Sequence, residues 1–229
     1  SNGGSAVDAV KQDYGTTITK PADPTKTGYT FAGWFKDNNT FLQEWNFDTD
    51  TMPVNGTTIY ANWDLDTYTI TLHDGDSIST VNYDVTMDSV SLNKPSKEGY
   101  TFNGWFEKDS QTEFKYVKGT TVGNKDLYAE WTINQYAITF ESNGGSAVKS
   151  IEQNYGTIIE KPSDPTKTGY TFAGWFTDAE FANAYKFGKM PAENITLYAK
   201  WTINQYTITF NSNGGSAVDA VKQDYGTTI

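Results

Sequence analysis

Three related stretches recur along the chain, YTITL at 68–72, YAITF at 136–140 and YTITF at 206–210, and the last alternates strictly between apolar and polar residues. In the last, Tyr206, Ile208 and Phe210 share one face and Thr207 and Thr209 the other, which is the period of a half-buried strand. Asn213-Gly214-Gly215 follows it; Asn143-Gly144-Gly145 and Asp74-Gly75 stand at the same place in the two earlier copies. Residues tolerant of positive φ at that point predict a hairpin. Its second strand carries Val10 and Tyr14, or Ile151 and Tyr155, in phase on one face, and Tyr14-Gly15 or Tyr155-Gly156 ends it.

KPADPTKTG at 20–28 predicts a single helical turn, with Asp23 as cap, Pro24 in the first position and Gly28 as the stop; 164–169 reads the same way. No apolar period of 3.6 runs long enough for an amphipathic helix. GYTFAGWF at 28–35 resumes extended structure, with Tyr29, Phe31 and Phe35 on one face and Trp34 on the other. Gly33 leaves room there for a backbone or a ring to approach. A variable excursion containing Trp45 or Tyr185 leads to LYAKW at 197–201, a closing strand with Leu197, Ala199 and Trp201 on one side and Tyr198 and Lys200 on the other.

These landmarks recur. GYTFAGWF at 28–35 returns as GYTFNGWF at 99–106 and GYTFAGWF at 169–176, and IYANW at 59–63 returns as LYAEW at 127–131 and LYAKW at 197–201. Residues 1–18 and 212–229 are identical, and 142–159 matches them at 12 of 18 positions. A fixed period near 70 residues means an array of small modules. The boundaries that follow are 1–67, a module without its first strand; 68–135 and 136–205, complete modules; and 206–229, the first hairpin of a fourth. Only four residues separate Trp131 from Tyr136 and Trp201 from Tyr206, so bending between modules is restricted and a linear rod is expected.

Composition adds two constraints. Modules of this size sit near the lower limit for folding on one apolar core, and the chain has no cysteine to staple them. Its 7 Trp, 15 Tyr and 13 Phe supply large buried areas from few residues instead. The net charge of −11, with 17 basic residues scattered among 28 acidic ones, argues against nucleic acid as a partner. No apolar run approaches the roughly 20 residues of a membrane-spanning helix, so no membrane insertion is expected.

An initial YTITF strand, a hairpin, PxxPxKxGYTFxGW and a terminal LYAxW, in that order, resemble the Listeria–Bacteroides repeat, the B-repeat-like module of listerial internalins and other bacterial surface proteins. The resemblance covers essentially the whole chain. It implies tandem small β-grasp-like (ubiquitin-related) modules, mainly β with minimal helix, in the extracellular stalks of cell-wall-attached proteins or fibres. It carries over no catalytic, cofactor or metal residues. Its matching positions are expected to be fold determinants: Tyr29, Phe31, Gly33, Trp34, Tyr60 and Trp63; Tyr100, Phe102, Gly104, Trp105 and Trp131; Tyr170, Phe172, Gly174, Trp175 and Trp201. The second module departs from the pattern. NKPSKEGYTF at 93–102 is shorter, without the second proline, so its loops are expected to differ.

Other chemistries have weak support. The one histidine, His73, lies where the other copies carry Glu141 and Asn211, without a Ser-His-Asp spacing around it. Asp48 and Asp50, Asp64 and Asp66, and Asp74 and Asp76 place carboxylates two apart, and Asp64 and Asp66 fall at a junction where calcium would stiffen the chain, yet no EF-hand spacing occurs. The expectation is therefore a non-enzymatic structural stalk or spacer of a bacterial cell-surface adhesin or fibrous surface protein, without cofactors. The alternative is a repeated array that contacts host protein or glycan by avidity, for instance through Tyr60, Tyr128 and Tyr198 opposite the closing-strand tryptophans. The expected partners are neighbouring repeats of the same chain, or other copies of it by strand complementation, because the first module starts just after its YTITF strand.

Overall fold

The computed structural model describes residues 1–228, and every regular element among them is a strand. It divides into two compact units, residues 1–95 with 103–130, and residues 96–102 with 131 onward. The first contains β1 (Tyr29–Phe35) and β2 (Tyr60–Leu65), an antiparallel pair. It also holds β3 (Tyr68–Asp74), β4 (Ser77–Tyr83) and most of β5 (Tyr100–Glu107) and β6 (Lys125–Ile133), in sheet order β4-β3-β6-β5. β3 is antiparallel to β4 and parallel to β6.

The second unit repeats that order with β7 (Gln135–Glu141), β8 (Ile151–Asn154), β9 (Tyr170–Phe176) and β10 (Ile195–Ile203), arranged β8-β7-β10-β9. Its parallel pair matches Ile195 with Ile138 and Tyr198 with Glu141. β11 (Gln205–Ile208) and β12 (Val221–Asp224) form a separate hairpin in the register of β7 and β8. The alternation seen in sequence sets the core: Ile138 on β7 and Leu197 and Ala199 on β10 are fully buried with Trp175, Met190 and Ile159, and Phe140, Phe172 and Trp201 pack against them.

Three details of the sequence reading are corrected. The helical turns expected near 23–28 and 164–169 do not form. Asp23 and Asp164 pair instead with Lys20 and Lys161, at 2.9 and 2.6 Å. The chain then turns at 26–29, where the Tyr29 N–H donates to the Lys26 carbonyl over 3.0 Å and Gly28 has φ 74°. That is a β-turn with its positive-φ residue third, and it needs no helix.

Second, Asn143-Gly144 makes a tight turn, with φ 49° and 83°, but the return strand starts only at Ile151. The intervening residues are diverted to the 166 region, where the Ser146 N–H donates to the Thr166 carbonyl over 2.8 Å. Among the described residues the two-residue hairpin occurs in the second module alone, with Asp74 opposite Ser77. In the first module the strand with Val10 and Tyr14 does not form, and those side chains are 44% and 76% exposed.

Third, Phe31 and Trp34 lie in one core, not on opposite faces. Pairing jumps from Phe31↔Trp63 to Gly33↔Asn62, a bulge that adds one residue and reverses the phase. Gly33, Gly104 and Gly174 hold φ 125°, 144° and 125° there, a region that side-chain-bearing residues rarely enter.

Candidate functional site: the module junctions

Asn134 alone separates β6 from β7, and Asn204 alone separates β10 from β11, so the connection is nearly continuous strand. Each asparagine is held on both sides. The Asn134 N–H donates to the Gly99 carbonyl over 2.9 Å, its Oδ1 accepts the Thr101 hydroxyl over 2.6 Å, and its carbonyl accepts the Tyr155 N–H over 2.9 Å. Asn204 repeats all three contacts, with Gly169 at 2.9 Å, Thr171 at 2.6 Å and Tyr225 at 2.9 Å. Between β2 and β3, which Asp66 and Thr67 separate, Asp66 takes this place. Its N–H reaches the Gly28 carbonyl over 3.0 Å, and its carboxylate accepts the Thr30 hydroxyl over 2.7 Å and the Tyr68 phenol over 3.1 Å.

A close packing contact accompanies each set of hydrogen bonds. Gly28, Gly99 and Gly169 are buried under a side chain of the following module. A Cβ placed on them would lie 2.3 Å from Val85 Cγ1, 2.1 Å from Tyr155 Cδ1 and 1.9 Å from Tyr225 Cδ1. Tyr155 also sets its ring edge-on to Tyr100 at 6.2 Å and donates its hydroxyl to Glu98 over 3.1 Å. That hydrogen bond, followed by partial desolvation, raises the Tyr155 phenol above its usual value. The uncharged phenol is the form that donates.

The residues singled out in sequence surround this feature. Trp34, Trp105 and Trp175 are buried. Phe31 touches Trp34 and Trp63 edge-on at 5.5 and 5.4 Å, Phe172 does the same with Trp175 and Trp201 at 5.3 and 5.5 Å, and Phe102 meets Trp131 at 5.3 Å. Tyr29, Tyr100 and Tyr170 are half-buried beside the junction glycines, and the ammonium groups of Lys26, Lys97 and Lys167 lie 4.1, 4.1 and 4.6 Å from their ring centres. The indoles of Trp63 and Trp201 donate to the Ser1 and Ser142 carbonyls over 3.0 and 2.9 Å, so they brace the turn at the start of their modules. In the shortened second module the indole of Trp105, the counterpart of Trp34 and Trp175, donates to the Asn93 carbonyl over 2.7 Å. Sequence reasoning located the short linkers but missed the Gly–Thr–Asn clamp. The signal is present as GYT and TIN at the same 70-residue step, 99 to 169 and 132 to 202.

His73 Nε2 lies 2.9 Å from Asp126 Oδ1, and its ring stacks on Tyr128 at 4.6 Å. Asp50 accepts from Lys36 over 2.7 Å, which first among its contacts holds its carboxyl below the usual range. Among the described residues no group of three or more His, Asp or Glu is placed to hold a metal ion. No helix among them is long and apolar enough to cross a membrane.

Repeated sheets joined by a repeated clamp define a tandem array of small all-β modules. The chain belongs to the Listeria-Bacteroides repeat domain family, whose model matches residues 1–62, 68–130, 136–200 and 206–229. It is 39% identical over its whole length to a protein of Evansella cellulosilytica named as a Gly-rich membrane protein, and 36% identical over 93% of its length to another from that organism named as a membrane protein. It is also 36% identical over 72% of its length to internalin H of Listeria monocytogenes. The chain spans 27%, 32% and 30% of the lengths of these relatives.

Proposed function

We propose that this chain is a stalk segment of a bacterial cell-surface protein, with β-grasp-like modules that follow one another along one axis and hold a distal region away from the cell. The observation that carries the reading is the junction clamp. A connection whose single residue is hydrogen-bonded to both neighbours, with a ring seated on a glycine, has few ways to bend. The sheet order with a central parallel pair supports the β-grasp reading, and the names of the relatives support an extracellular surface location. The role is mechanical and needs no catalysis.

The array reading fares less well. Of the three tyrosines offered as a repeated patch, Tyr128 is exposed while Tyr60 and Tyr198 are half-buried. Small-angle scattering tests the stalk. A compact 70-residue module is roughly 30 Å across, so three in line give a maximum dimension of about 90 Å or more. A value near that of one 229-residue globule refutes the proposal. The variant Asn134→Gly with Asn204→Gly should broaden the distance distribution, and an unchanged distribution also counts against the clamp as the source of stiffness.

A further inference from the structure

The second module leaves one edge of its sheet open. β4 is the outer strand of the order β4-β3-β6-β5, and it pairs with β3 alone, without a break in register. A two-residue turn makes Asp74 and Ser77 the closing hydrogen-bonded pair, and bonded pairs then recur at every second residue. The backbone groups of Ser77, Ser79, Val81 and Tyr83 therefore face β3, and those of Ile78, Thr80 and Asn82 face outward. Among the described residues no backbone hydrogen bond reaches those three. Such edges are ordinarily blunted by lysine, proline, a bulge or a very short strand. β4 has none of these: it runs for 7 residues, SISTVNY, and Ile78 is 65% exposed on it.

A cavity of about 320 Å³ adjoins the first half of this edge, lined by Leu72, Ile78, Lys94, Pro95 and Trp105. The third module differs here. Phe140 stands in the place of Leu72, and residues 143–150 form no strand but pack Val148 on the core. The edge of the second module is also held in place. The Tyr83 hydroxyl donates to the Gly123 carbonyl over 2.5 Å and the Thr69 hydroxyl to Asn82 Oδ1 over 3.1 Å, so little ordering is left for a partner to impose.

Charge selects the occupant. Residues 74–88 carry aspartates at 74, 76, 84 and 88 and no lysine or arginine. Asp88 pairs with Lys118 at 2.6 Å. Asp84 accepts the hydroxyl and the N–H of Thr86, which hold its carboxyl below the usual range and keep it ionised. Antiparallel pairing of two β4 strands centred on Thr80 would set Asp76 opposite Asp84 at both ends, which disfavours a second copy of this chain. A segment with a basic residue at each end meets those carboxylates instead.

We propose that β4 of the second module binds an extended segment of a partner protein by strand addition. One apolar side chain of that segment enters the cavity beside Trp105, and lysine or arginine at its two ends faces Asp76 and Asp84. The site shares no residue with the module junctions, so it stands or falls apart from the stalk reading.

The synthetic peptide Lys-Lys-Thr-Ile-Thr-Val-Thr-Lys-Lys, titrated into the full chain, tests this by a binding isotherm and amide hydrogen exchange. Exchange at Ile78, Thr80 and Asn82 should slow about tenfold or more at saturation, while Ser79 and Val81, already bonded to β3, change little. Thr80→Pro removes only an outward-facing N–H and should weaken binding about tenfold, with the urea midpoint showing that the module is folded. Asp76→Lys leaves the sheet untouched and should weaken binding about threefold. A peptide with glutamate at the four lysine positions should bind about tenfold more weakly. Protection outside β4, no saturation by about 1 mM peptide, or equal binding by a folded Thr80→Pro chain overturns the proposal. Should Thr80→Pro unfold the module, equal affinity for the lysine and glutamate peptides rejects it by itself. A peptide-free dimer that Thr80→Pro abolishes would assign the edge to a second copy and also refute it.

Discussion

Replacing Gly99 by alanine separates two contributions that the junction combines. Gly99 has φ 74°, which for a residue with a Cβ costs roughly 1–2 kcal/mol. The new Cβ would also lie 2.1 and 2.2 Å from Cδ1 and Cγ of Tyr155, too close for the ring to stay. Truncating a fully buried large aromatic costs about 3–5 kcal/mol, and Tyr155 is half-buried, so displacing it should cost about 2 kcal/mol. Gly99→Ala is then destabilising by about 3–4 kcal/mol in total.

Gly156 provides the control, since its φ is 73° and no atom lies within 4 Å of its prospective Cβ. Gly156→Ala should show the backbone strain alone, about 1–2 kcal/mol. In a Tyr155→Ala background Gly99→Ala should fall to that same value, a coupling of about 2 kcal/mol between the two positions. Urea unfolding followed by tryptophan fluorescence, with coincident circular dichroism to check for a single transition, measures the wild type and the four variants. Equal costs at Gly99 and Gly156, or an undiminished cost at Gly99 once the ring is gone, would refute the seated-ring account of the junction.

Trp175→Ala should cost about 3–5 kcal/mol and unfold the third module, because the ring sits with Ile138, Met190 and Leu197 in its core; retention of the wild-type urea midpoint would contradict this. Thr171→Val removes the hydroxyl that donates to Asn204 and should cost about 1 kcal/mol in the same assay; a stabilised variant would show that the bond contributes nothing. The Asp178 carboxylate accepts the backbone N–H groups of Ala182 and Asn183, which lowers its folded-state pKa. Its contribution to stability is therefore present above the unfolded pKa and lost as pH falls through the lower folded value. A carbon-13 titration of that carboxyl should have its midpoint below the ordinary aspartate value, and a midpoint at or above it would overturn the assignment.

Much of the strand pattern was legible because burial on one face imposes a period of two. Ile138, Leu197, Ala199 and Trp201 fall where alternation puts them. Alternation fails where the backbone adds a residue. Phe31 and Trp34 were assigned to opposite faces because a bulge leaves no periodic trace, although Gly33 inside an aromatic strand was the available sign. The Asp-Pro pairs misled in another way. Asp23-Pro24 has the local chemistry of a helix start, but Lys20 and the turn at 26–29 satisfy those groups sooner than a helix could. Local propensity is a weak prior over so few residues.

The clamp was harder to read, because it joins residues that belong to different modules by the repeat count. Gly99 and Thr101 act with Asn134 and Tyr155, so the clamp straddles the sequence unit of repetition. The first junction shows which parts of the clamp recur with other residues. There Asp66 replaces asparagine and Val85 replaces the tyrosine, yet the backbone bond to Gly28, the threonine-to-carboxyl-oxygen bond and the apolar contact over the glycine all persist. Beside the backbone bond to the glycine carbonyl and the threonine hydroxyl, the side-chain features common to all three are two: an oxygen on the linker residue and an apolar group above the glycine. A linker that met those two requirements with other residues should be as restricted as these. A linker with the same length but no such oxygen should bend, since the four-residue spacing by itself supplies no contact to resist it.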